Sequence, residues 1–202
     1  MKTETTLSRP VRIVVIGAGN RAHKYLEYAR RNPEQLRLAA IVEVNDLRRR
    51  AMADAFGLPD KYCYAHYDDF FAERLDADMV LISTPENAHF DPAVKAIDAG
   101  YHVLLEKPIA QRLDECREIA RCARRRGVLV GVCHVLRYHP YFAKIRELVA
   151  SGRLGHVVSV NHTASVGLDR ATHSYGRGIF RRESEANPIL LAKCCHDIDF
   201  LL

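Results

Sequence analysis

The chain has 202 residues, 48% of them hydrophobic and 27% charged, with 30 Lys and Arg against 25 Asp and Glu for a formal charge of +5. That balance excludes a disordered polar chain and leaves enough apolar material for one complete domain and part of another. Part of the excess sits in Arg48-Arg49-Arg50 and Arg124-Arg125-Arg126, which read as solvated helix faces; with no zinc-finger spacing, aromatic RNA-binding signature or basic heptad beside them, no nucleic-acid partner is expected.

Val11 to Ile16 is a short apolar strand interrupted only by Arg12. After the turn Gly17-Ala18-Gly19-Asn20-Arg21-Ala22, apolar residues Ala22, Tyr25, Leu26 and Ala29 recur at helical spacing through Arg31. Leu38 to Val44 predicts a second buried strand, and Asp46 is placed to cap a helix reaching Phe56, where Gly57 and Pro59 stop it. A short helix near Asp68 to Arg74, a strand at Met79 to Ser83, a helix from Phe90 to Ala99 closed by Gly100, and a strand at His102 to Leu105 follow. The helix Leu113 to Arg126 ends at Gly127, and Val128 to Cys133 predicts one more strand. Strands alternating with helices specify an α/β domain, a doubly wound parallel sheet of Rossmann type, over residues 8–134. Beyond His134 the pattern changes. Tyr141 to Ala150 predicts an amphipathic helix stopped by Gly152, Val157 to His162 alternates as a strand, residues 164–188 are irregular and polar, and Ile189 to Leu202 reads as a helix.

Ligands of open α/β sheets occupy the crevice outside the carboxyl ends of the strands. Gly17 serves the tight turn there, Gly19 lets the backbone approach a pyrophosphate seated on the following helix, and Ala22 is a permitted third member. Asn20 and Arg21 complete this cofactor-binding turn. An acidic residue is required about 20 positions on, and Glu43 supplies it; its carboxylate accepts from adenosine ribose hydroxyls and repels a 2'-phosphate, favouring NAD over NADP unless Arg48 or Arg49 turns inward. Ser83, Thr84 and Pro85 end a strand, and Asn87 and His89 follow. They suit the ribose or the nicotinamide side of the cofactor; alternatively Thr84-Pro85 only shapes the turn and Asn87 caps the helix at Phe90. Glu106-Lys107-Pro108 closes the strand at Val103-Leu104-Leu105 and places a lysine where nicotinamide would lie.

The six cysteines lack Cys-x-x-Cys spacing, so reduced thiols in a cytoplasmic protein are expected. Met1 to Pro10 has no apolar core of a secretory signal, and no run approaches the ~18 apolar residues of a membrane span. No metal site is expected either: Cys194-Cys195-His196 puts neighbours on different faces of a helix, whereas a single ion wants ligands that converge.

Five segments together carry a family resemblance: Gly17-Ala18-Gly19-Asn20-Arg21, Thr84-Pro85-Glu86-Asn87-Ala88-His89, Glu106-Lys107-Pro108, Arg137-Tyr138-His139-Pro140 and Lys193-Cys194-Cys195-His196-Asp197-Ile198-Asp199. In this order the chain resembles the glucose-fructose oxidoreductase and inositol dehydrogenase family, Gfo/Idh/MocA. The resemblance implies a Rossmann domain followed by an α+β domain, and hydride transfer between nicotinamide and a sugar, cyclitol or related polyol. It makes Lys107 and His196 the catalytic candidates, His196 as base, with Lys107, Arg137, Tyr138 and His196 facing substrate, Glu106 holding Lys107, and the Lys107-Pro108 bond cis. Members often carry an aspartate one helical turn before the histidine. Here that position is Ala192, which leaves Asp197 or Asp199 to orient the ring, with Lys193 and Asp197 spaced for an ion pair. Members also run well past 300 residues, so residues 135–202 read as the start of an incomplete second domain, and a truncated product of a homo-oligomeric protein is expected. Two other functions remain open: an NAD-dependent glycosidase of the same superfamily, and a nucleotide-binding remnant without catalysis.

Overall fold

The computed structural model describes residues 8–163, 165, 167–168 and 189–202. The chain divides into two compact units, Met1–Val132 and Cys133–Leu202.

The first unit is built on a six-stranded, wholly parallel sheet in the order β3-β2-β1-β4-β5-β6. Its strands are β1 (Val11–Ile16), β2 (Leu36–Val42), β3 (Cys63–Tyr64), β4 (Met79–Ile82), β5 (His102–Leu105) and β6 (Val130–Val132). The helices between them are α1 (Asn20–Arg31), α2 (Asp46–Phe56), α3 (Tyr67–Glu73), α4 (Phe90–Asp98) and α5 (Leu113–Arg126). Central strand β1 is buried on both faces, which is why it reads as a near-continuous β-branched run. Its side chains alternate between two cores. Ile13 and Val15 join Ala22, Leu26 and Ala29 of α1, together with Met52 of α2, whereas Val14 and Ile16 join Phe70, Ala93, Ile97 and Ile119 on the other face. Each fully buried Leu, Ile, Phe or Met contributes about 1.5–3 kcal/mol; Phe70, Leu26, Met52, Leu81 and Ile97 are among them.

Most boundaries lie within a residue of the sequence expectation, and the departures with a visible cause are at β2, β6 and the cap of α2. β2 begins at Leu36, because its register starts with Val11 opposite Leu36, and it ends at Val42, leaving Val44 exposed. β6 is confined to Val130–Val132, the residues that pair with β5. Asn45, not Asp46, caps α2: its side-chain oxygen accepts from the Arg48 amide at 3.0 Å, and Asp46 is the first helical residue. Two-residue β3 is too short to leave a periodicity in the sequence.

In the second unit, α6 (Pro140–Ala150) and α7 (Ile189–Leu201) follow the expected helices closely. Residues 157–162 do not form the expected strand. Their alternation is real, but a strand exists only through a ladder. The described residues give this one no partner, and Val158 and Val160 are exposed. Most of the polar run 164–188 lies outside the described residues. No helix among the described residues is long and apolar enough to cross a membrane.

Candidate cofactor and active site

Parallel pairing sets the first unit's site by placing one residue just past four strand ends in a single row. The Glu43 amide donates to Tyr64 O (3.0 Å), Gly17 to Val42 O (2.8 Å), Ser83 to Ile16 O (2.9 Å) and Glu106 to Ile82 O (2.9 Å). Each amide continues the ladder by one step. The side chains that follow therefore emerge along one edge of the sheet, beside the reversal of strand order at β1 and β4.

Gly17 has φ +95°, and a Cβ there would lie 2.8 Å from the Ser83 carbonyl carbon and 2.9 Å from the Thr84 amide nitrogen. The Ser83 hydroxyl donates to Gly17 O at 2.8 Å, drawing the glycine turn against the end of β4. Gly19 is the opposite case. Its φ is ordinary, and a Cβ would meet nothing within 4 Å. It is also the N-cap of α1, has no side chain to satisfy the first amides, and the first turn holds no acidic residue. A dinucleotide's pyrophosphate fits that arrangement: open space above Gly19 and an unneutralised positive helix end.

Glu43 is buried, with one carboxylate oxygen accepting from Ala18 N at 2.7 Å and the other from Asn45 N at 2.9 Å. It holds the glycine turn, and each oxygen retains a lone pair for a ribose hydroxyl. Arg49 is turned back: its guanidinium donates to the Glu43 carbonyl at 2.6 Å and pairs with Asp46 at 2.7 Å. Arg48 lies exposed on α2.

On the next strand ends, the Ala88 amide donates to Pro85 O at 2.8 Å to close a single 3-10 turn at Glu86–Ala88, and Thr84 donates its hydroxyl to Ala88 O at 3.0 Å. Asn87 is exposed within that turn and does not cap α4; His89 occupies the cap position. The His89 ring is 1% exposed and faces inward, with Nδ1 2.9 Å from Pro108 O and Nε2 3.1 Å from Thr84 O. Pro85 is exposed.

Glu106, 5% exposed, gathers three groups. The Tyr25 hydroxyl donates to one oxygen at 2.6 Å, Arg21 Nε stands 3.6 Å from the same oxygen, and the Lys107 amide donates to the other at 3.0 Å. Lys107 is half-buried and its bond to Pro108 is cis, as expected. Asn20 and Arg21 open α1 and are exposed. The helical spacing alone assigns Tyr25 a packing role. Its hydroxyl, on a face otherwise lined by Ala and Leu, was the signal, since a part-buried phenol needs a partner.

The remaining candidates belong to the second unit. His196 lies on α7, its ring edge-on to His134 with centroids 5.6 Å apart. Asp199, one of the expected orienting carboxylates, is held by Arg137 through two bonds of 2.7 Å, which keep its carboxyl below the usual range. The other, Asp197, pairs with His162 at 2.7 Å. Arg137 thereby ties the turn Val135–Tyr138 to α7, and Tyr138 is 85% exposed. No metal-binding cluster occurs among the described residues.

A hollow of about 370 Å³ opens at the amino ends of β1 and β2, lined by Arg9, Arg12, Phe56 and Tyr62. It lies at the opposite end of these strands from the glycine turn.

Residues 11–134 match the family model GFO_IDH_MocA, an oxidoreductase family with an NAD-binding Rossmann fold. D-xylose 1-dehydrogenase (NADP(+)) 2 of Haloferax volcanii is 36% identical over 130 residues, covering 64% of this chain and 39% of that protein. An inositol dehydrogenase homolog of Azotobacter vinelandii, solved with NADH and myo-inositol, matches with TM-score 0.65 and 25% identity over 75% of this chain and 43% of its own. The WlbA dehydrogenase of Chromobacterium violaceum shares the fold, with TM-score 0.82 and 19% identity over 100% of this chain and 57% of that one. The chain spans less than half the length of the curated relatives it matches.

Proposed function

Because the chain belongs to the Gfo/Idh/MocA oxidoreductase family, with that family's NAD-binding Rossmann fold over residues 11–134, we propose that it acts as an NAD-dependent dehydrogenase of a sugar, cyclitol or related polyol. The observation that carries the reading is the row Glu43, Gly17, Ser83 and Glu106 along one edge of the sheet. It supports the reading because the glycine turn, the Glu43 carboxylate and Lys107 lie at the end of the sheet where such folds take ligands. Bound NAD would supply the hydride acceptor.

Around it, the backbone of Gly17, Gly19, Asn20 and Arg21 holds the pyrophosphate at the start of α1. Glu43 accepts from the adenosine ribose, while Ser83, Thr84, Pro85 and Asn87 border the nicotinamide side. His89, buried between two carbonyl oxygens, supports this border from behind. The Lys107 ammonium would stabilise the negative charge that develops on the substrate oxygen as its proton is removed. His196 takes the hydroxyl proton, as a neutral imidazole does near pH 7, with Arg137 and Tyr138 bordering the substrate. NAD is favoured over NADP by the Glu43 carboxylate and by an Arg49 guanidinium committed to Glu43 O and Asp46. The expectations of a cytoplasmic location and of a homo-oligomeric whole protein go with this reading.

Calorimetry with NAD and NADP, followed by a panel of polyols and sugars monitored for reduced nicotinamide, tests it. The expected result is tighter binding of NAD and turnover of at least one polyol. Absence of binding by either nucleotide refutes it, tighter NADP reverses the cofactor assignment, and cleavage of a chromogenic glycoside without accumulation of reduced cofactor indicates the glycosidase instead.

A further inference from the structure

We infer that Tyr25 is a positioning residue that couples the cofactor-binding helix α1 to Lys107 by way of the Glu106 carboxylate. The coupling to a bound cofactor rests on the dinucleotide reading above; the contacts themselves do not. Tyr25 stands just over one turn into α1, the helix whose amino end faces the glycine turn. Its hydroxyl donates at 2.6 Å to Glu106 Oε1, and Arg21 from the first turn of α1 approaches that same oxygen at 3.6 Å. The other carboxylate oxygen accepts from the backbone amide of Lys107 at 3.0 Å. One buried carboxylate is therefore shared between a helix and the peptide that carries the lysine. A buried carboxylate is held most firmly when its oxygens are all hydrogen-bonded, and a charge-assisted bond from a phenol is among the stronger ones available. The far side of the lysine is fixed as well, because His89 stands 2.9 Å from Pro108 O. A ligand that orders the start of α1 would then order the Lys107 backbone through Glu106, in addition to any contact of its own with Lys107.

The test is amide hydrogen exchange on the full chain, with and without saturating NAD, for wild type, Tyr25→Phe and Glu106→Gln, each with a thermal melt. In wild type, NAD should slow exchange in residues 17–31 and also in residues 103–110. In Tyr25→Phe, protection of 17–31 should persist while the NAD-dependent protection of 103–110 falls roughly tenfold, a loss a merely structural tyrosine would not confine to that segment. Glu106→Gln, which keeps the shape but removes the charge, should show the same uncoupling, and the double variant should add little to either. Equal protection of 103–110 in wild type and Tyr25→Phe overturns the inference. If wild type binds no NAD, the dinucleotide reading falls, and the contacts are judged without ligand. Faster exchange of the Lys107 amide in Tyr25→Phe then supports them, and unchanged exchange overturns them.

Discussion

Gly17 and Gly19 stand two residues apart in one turn, yet alanine at each should fail in a different way. At Gly17 the backbone has φ +95°, outside the regions an L-residue enters freely, and such a conformation costs about 1–3 kcal/mol. The new Cβ would also lie 2.8–2.9 Å from backbone atoms of Ser83 and Thr84, which form the end of a central strand and cannot swing aside. Overpacking of that kind costs about 1–3 kcal/mol more. Gly17→Ala should therefore lose about 2–6 kcal/mol of a total that for such domains is about 5–15 kcal/mol. At Gly19 the φ is −78° and nothing lies within 4 Å of the added carbon. The entropy gain of about 0.4–1 kcal/mol from a stiffer unfolded chain is nearly offset by alanine's poorer capping. Stability should be unchanged, but the methyl would occupy the approach to the α1 amides, and NAD affinity should drop at least tenfold, about 1.4 kcal/mol. The chain has no tryptophan, so urea unfolding followed by far-ultraviolet circular dichroism, beside NAD calorimetry, is the suitable pair of assays. A stable Gly17→Ala, or a Gly19→Ala that binds NAD as wild type does, would refute this division of labour.

Replacing Glu43 by alanine removes the acceptor of the Ala18 and Asn45 amides; a loss of about 1–3 kcal/mol is expected in urea melts, and NAD affinity should fall with it. Asp78 accepts from the Arg9 guanidinium at 2.7 and 2.5 Å and from the Arg12 amide at 2.7 Å, and these bonds, the Arg9 contact foremost, hold its carboxyl below the ordinary range. A folded-state value lowered in this way means that the stabilisation is fully present above the unfolded value, about 3.9. It fades as pH falls through the lower folded one. The stability gap between wild type and Asp78→Asn should thus be constant from pH 7 to 5 and shrink at pH 3, and a gap of equal size at pH 3 contradicts the assignment. Arg137→Ala should speed amide exchange in 189–201 by freeing Asp199. Arg137→Lys should not restore it, because an ammonium cannot make two parallel bonds to one carboxylate; full rescue by lysine would show that charge alone suffices.

What could be read from the sequence were features fixed by near neighbours. β1, α5 and β5 have the expected limits because an apolar run, a glycine stop or a helical spacing lies within the segment itself. The places of Glu43, Ser83 and Glu106 were legible for the same reason, as each follows directly on a buried strand. What those side chains touch was not legible, since their partners are distant in sequence: Glu43 meets Ala18, Ser83 meets Gly17, and Glu106 meets Tyr25. Residues 157–162 show the same limit from the other side. Alternation states which faces a segment could present, and only a neighbouring strand can turn that into a ladder. His89 and Tyr25 illustrate how such cases can be caught. Both put a hydrogen-bonding ring into a buried or half-buried position, where leaving it unmet costs about 1–3 kcal/mol, so a polar aromatic on an apolar face implies a partner even when the sequence does not say which. Here both partners belong to the peptide around Lys107: the Glu106 side chain on one flank and the Pro108 carbonyl on the other. The backbone on either side of the residue expected to meet the reacting oxygen is thus contacted by a group from α1 and by one at the start of α4.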